Sequence, residues 1–169
     1  MAIEPVRLRV LKNFTGILKE INTANGYHTE LNEQVYRGRV IFGENDVIPL
    51  LSLLEVPIPL EQTPPPADSE FSSGGWELMI QGFVEDDDEN PTDPAHYLMA
   101  DVKKRLAKEK RKALEMEPEK GIFGLGNFVT GLRIGSGVVR PPDEISAKAY
   151  FWLLVTLDMV EDLSDPYED

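Results

Sequence analysis

Apolar residues recur at Val6, Val10, Phe14, Ile17, Leu18 and Ile21, a spacing that gathers them into one stripe along a helix. Pro5 suits the first helical position, and Arg7, Arg9, Lys12, Lys19 and Glu20 mostly fall outside the stripe. Gly16 weakens such a helix by up to about 1 kcal/mol relative to alanine. Asn25-Gly26, within "NTANGYHT", is the turn that follows.

The pattern then changes to strands. Val35 to Phe42 alternates loosely and is rich in β-branched and aromatic residues, "GEND" reads as a turn, and Val47 to Val56 is apolar on both faces. This predicts a β-hairpin whose second strand is central and covered from two sides. Residues 57–75, "PIPLEQTPPPADSEFSSGG", hold five of the 13 prolines and read as a long loop or arm. Trp76 to Glu85 resumes as a strand, with Trp76, Leu78, Ile80 and Val84 on one face. A second helix starts with Asp93 as cap and Pro94 in the first turn. Ala95, Leu98, Met99, Val102, Leu106 and Ala113 form its apolar side. From Ala107 to Lys112 it is polar nearly all round, so its second half is expected to project past the sheet. After the loop "EPEKGIFGLGNF", Phe128 to Arg140 and Ala149 to Val160 are the last two strands.

The order α-β-β-β-α-β-β defines an α+β fold: a mainly antiparallel sheet of about five strands with two helices on one face. Residues 1–160 make a single domain, and 161–169 an acidic, flexible tail. Because "AYFWLLVTLDMV" is apolar on both sides, the far face of the sheet needs cover from the long loop or from another subunit.

Composition narrows the chemistry. The chain lacks cysteine, which excludes disulfides, thiolate zinc sites and cysteine nucleophiles. No apolar run approaches the roughly 18 residues that span a bilayer, and no signal-peptide core opens the chain. A soluble protein made in the cytoplasm is expected. The formal charge of −13 argues against a general nucleic-acid-coating protein.

Candidate motifs mostly dissolve on inspection. Gly124-Leu125-Gly126 lacks the third glycine of a dinucleotide fingerprint, position 129 being valine, and a strand rather than a helix follows. "DDDEN" fails the calcium-loop pattern at Pro91 and Tyr97. His28 and His96 stand far apart with no metal-ligand spacing, and no serine has a nucleophile context. No catalytic residue, cofactor or metal ligand set is expected.

Two basic features remain. Seven of the 17 basic residues lie between Lys103 and Lys112, either as a solvated face neutralised locally by Glu109 or as a docking surface for an acidic partner. Lys103, Lys104, Lys108, Arg111 and Lys112 are its interface candidates. Arg37 and Arg39, two apart on a strand, point to one face and could hold an anion or a neighbouring subunit. Trp152, on the doubly apolar last strand, is a further interface candidate.

In this order, the first helix, "GYHT", "VYRGRVIFGENDVIPLLSLLE", a tryptophan strand ending "GFVE" and "DPAHYLMADVKKRL" resemble the tail terminator proteins of long-tailed bacteriophages, the lambda-like terminators and their minor-tail-protein relatives. The resemblance spans about residues 5–160 and rests on short motifs: Tyr36-Arg37-Gly38-Arg39, the apolar strand after Pro49, and Ala100-Asp101 before the basic run. It implies a virion structural protein, not an enzyme. Such proteins form a ring, typically a hexamer, that stops tail-tube polymerisation. Their partners are the tail tube protein and a head-tail connector or neck protein, with genome DNA only in transit through the pore and no membrane. The proline-rich arm departs from the compact pattern and leaves a related neck or tail-completion protein as the alternative. A small anion-binding regulatory domain using Arg37 and Arg39 is the alternative of another class.

Overall fold

In the computed structural model, which describes residues 3–56 and 66–167, α1 spans Val6–Leu18 and buries Val6, Val10, Phe14 and Leu18. Pro5 sits just outside this helix as its cap. Gly26 takes φ 81°, the left-handed conformation that the Asn-Gly turn requires. The strands are β1 (Val35–Arg37), β2 (Leu50–Glu55), β3 (Phe71–Val84), β4 (Val129–Arg140) and β5 (Ala149–Asp162), with α2 (Asp93–Arg111) between β3 and β4. They form one five-stranded sheet in the order β1-β2-β3-β5-β4, antiparallel except for the first pair. The predicted α+β architecture and element order hold.

Both helices lie on one face. Alternate residues along the strands, Leu51 and Leu53, Leu78 and Ile80, and Phe151, Leu153 and Val155, share one buried cluster with the stripes of α1 and α2. Gly82 lets this layer close up: a Cβ there would come within 2.2 Å of the Phe151 ring.

The predicted hairpin at residues 35–56 is corrected. β1 pairs with β2 in parallel, Val35 opposite Leu51 and Arg37 opposite Leu53. Gly38, at φ 65°, turns the chain out of the sheet after Arg37, so the expected strand to Phe42 stops five residues early. Residues 38–49 then cross the sheet's second face and re-enter at Leu50, the kind of long connection that parallel strands require. This crossing segment covers the face. Phe42 packs between Tyr36 (5.8 Å between ring centroids) and Phe83 (5.4 Å), and Phe83 continues to Tyr150 and Trp152. Ser52, fully buried, donates its hydroxyl to the Arg39 carbonyl at 2.6 Å. The cover is partial: Val138 and Leu154, 53% and 46% exposed, lie on the part left open.

Three further expectations change. Of the loop at 57–75, residues 57–65 lie outside the described residues, while Phe71 to Gly75 already belong to β3, paired with Asp158 to Asp162. Backbone pairing with β5 makes a strand of these small polar residues without help from side chains. The segment 161–167, expected as a tail, makes backbone contacts with the domain: β5 runs to Asp162, Leu163 N–H donates to the Glu70 carbonyl and Val6 N–H to the Pro166 carbonyl. Finally, the second half of α2 does not project. It passes into a π-helical turn at Lys112–Met116, and Glu109 and Ala113 are buried against the turn around Ile122 and Phe123.

Candidate interaction surface on the second helix

The buried side of α2 carries ions as well as apolar groups. Asp101, Arg105 and Glu109 recur every fourth residue beside Leu98, Val102 and Leu106, and all three are buried. Asp101 accepts the backbone N–H groups of His28 (3.2 Å) and Thr29 (2.7 Å), fastening the "GYHT" turn to the helix. Arg105 donates Nε to the Ile17 carbonyl near the end of α1, and its guanidinium pairs with Glu20 (2.9 Å) and Glu109 (3.2 Å). The other Glu109 oxygen accepts the N–H of Phe123, whose ring stacks on Phe14 at 4.8 Å. Phe123 is held at φ 57°, a conformation uncommon outside glycine, so Glu109 fixes a strained turn as well as an arginine.

The consequence appears on the outer side. Glu109 is the one acid between Val102 and Leu114, and it faces inward. The ionic residues that remain outward on that stretch are therefore all cations. Lys104 donates to the Gly26 carbonyl at 2.7 Å and lies 5.0 Å from the Tyr27 ring centroid. Lys112 pairs with Glu117, which is shared with Lys120; the hydrogen bonds from Lys120 and then Lys112 hold its carboxyl below the usual glutamate value. Lys103, Lys108, Lys110 and Arg111 have no ion pair among the described residues. Glu115 and Glu119 lie beyond them in sequence, and Leu114 and Met116 are exposed beside them. Glu109 thus neutralises Arg105, on the buried side, while Lys112 takes Glu117 instead and the outward lysines have no acid of their own between Val102 and Leu114.

Arg37 and Arg39 are not brought together. β1 ends between them, and Arg37 donates to Thr15 Oγ1 of α1 at 2.9 Å. Arg39 lies with the crossing segment, its guanidinium 4.8 Å from the Tyr36 centroid and 4.6 Å from that of Phe42, with Nη2 bonded to both oxygens of Asp46. The Gly43 N–H foremost, and then Arg39, hold Asp46 below its ordinary value. Each arginine is engaged in holding a different part of the chain, and no common anion cradle forms. Trp152 is half-buried on the second face with Nε1 enclosed and without a hydrogen-bond partner among the described residues.

The other motifs take structural places. Asp87 Oδ1 accepts the N–H groups of Glu89 and Asn90, closing the acidic turn on itself. Gly121 and Gly126 bridge, and a Cβ on Gly121 would meet the Gly126 carbonyl at 2.3 Å, so the glycines close a tight turn leading into β4. Among the described residues no group of histidine and carboxylate side chains could hold a metal ion, and no helix is long and apolar enough to cross a membrane. Sequence reasoning missed Asp101, Arg105 and Glu109 as buried anchors. Their four-residue spacing in register with the apolar stripe was the available signal. No protein-family model matches the chain, and no curated protein matches it significantly.

Proposed function

We propose that the chain is a self-assembling structural subunit of a bacteriophage virion, similar to a tail terminator. It would form a ring on the end of the tail tube and join tail to head. The observation that carries this reading is the outward face of α2, all cationic from Lys103 to Arg111 on a chain of net charge −13. Like charges at the spacing of Lys104, Lys108 and Arg111 repel in an isolated subunit, so an acidic partner relieves a cost that the monomer carries. The partly open apolar face around Leu154 and Val138 supports the same reading, since subunit contacts are where such surface is normally covered. The residues of the resemblance also serve one another: Asp101 holds the "GYHT" turn, and Arg39 pins the segment that covers the sheet. They act as scaffold residues.

The test is size measurement of the purified chain by light scattering, combined with electron microscopy of particles labelled for it. A ring in solution and label at the head-tail junction are the expected results. A chain that stays monomeric at all concentrations and is absent from particles contradicts the proposal. The anion-binding alternative has lost its geometric basis, because Arg37 and Arg39 have separate partners.

A further inference from the structure

α2 carries opposite charges at its two ends. Its outer face from Lys103 to Arg111 is cationic, while the turn entering it holds Asp86 to Glu89, followed by Asp93 in the first helical turn. Asp88 and Glu89 are exposed and have no ion pair among the described residues. They project from a turn already fixed by the two hydrogen bonds to Asp87, so little ordering is needed to present them. Within one chain the acidic turn does not neutralise Lys108 and Arg111. At 1.5 Å per residue, Asp93 and Lys108 are separated by roughly 20–25 Å along the helix, more than twice the screening length of about 8 Å at physiological salt.

We infer that the acidic turn of one copy, through Asp88 and Glu89, docks on the α2 face of the next copy, against Lys108 and Arg111. The inference rests on the ring-subunit reading and names the contact within it. Two different patches of the same chain meet, so the interface is head-to-tail, which is the arrangement that generates a ring when the rotation closes.

Charge exchange tests this with the full chain. The variants are K108E/R111E, D88K/E89K and all four together, measured by sedimentation at about 50 mM and about 500 mM NaCl. Each double variant should weaken self-association at least about tenfold, and the fourfold variant should recover it. Mixing the two double variants should restore extended assembly with the two alternating, because the native turn of K108E/R111E meets the native face of D88K/E89K and the reversed turn of the latter meets the reversed face of the former. Circular dichroism of each variant establishes that it is folded. Wild-type-like association by both folded double variants overturns the contact while leaving the ring reading in place; a wild-type chain that never associates overturns both. If K108E/R111E instead loses only retention on a DNA duplex, the cationic face serves nucleic acid and the inference fails.

Discussion

Glu109 shows how one side chain sets the character of a surface. Turned inward, it binds Arg105 and the Phe123 N–H, and the lysines around it lose the acid that would have neutralised them. Glu109→Ala strands Arg105, whose side chain is only 6% exposed, with the exposed Glu20 as its remaining acid. The expected loss is about 3 kcal/mol of unfolding free energy, read from urea titration. Lys108→Gln, on the outer side, should change stability by less than about 0.5 kcal/mol. A Glu109→Ala loss as small as that of Lys108→Gln would mean that the buried pair anchors nothing. The run "KKRLAKEKRK" was legible as basic, but which of its members faced inward depended on extending the stripe of Leu98, Val102 and Leu106. Ions are seldom fully buried, so charged residues on such a stripe carry no sequence signal of their own that they face inward.

Among the elements, the apolar periodicities of α1, α2, β3 and β5 were readable because each buries one continuous face. β1 and its connection were not. Val35 to Phe42 has strand composition throughout, yet the left-handed Gly38 and the apolar face awaiting cover together decide that Phe42 leaves the sheet and packs upon it. Local propensity does not contain that choice. The turn between β4 and β5 permits a pH test. The Ile145 N–H foremost, with the Tyr150 hydroxyl, the Ser146 N–H and Arg140, holds Asp143 below its ordinary value of 3.8. A folded value below the unfolded one means that the contribution is complete above the ordinary value and is lost as pH falls through the folded one. Asp143→Asn should therefore flatten the acid limb of the stability profile below about pH 4, measured by urea midpoints, and leave its slope near neutrality unchanged. Burial foremost pushes Tyr150 above its ordinary 10.0, so its own share is present below that value and is lost only in strong alkali as pH rises through the folded one.

For the whole molecule, fold class and element order followed from the sequence, whereas the partial cover of the second face could be seen only once the chain path was known. If the acidic turn docks on the cationic face as proposed, that contact should form more slowly as salt rises, with the change falling mainly on the association rate. Stopped-flow light scattering at several ionic strengths measures this; a salt effect confined to dissociation would contradict it. The parallel union of β1 with β2 also has a kinetic meaning. A hairpin would have zipped from its own turn, whereas this pair has to wait for its crossing segment to find an assembled sheet. β5, hydrogen-bonded along both edges, belongs to the most slowly exchanging part of the molecule, and three-residue β1 to the fastest among the strands. Amide exchange should therefore reveal a native protein that sheds its first strand, and the lid over its second face, long before it unfolds.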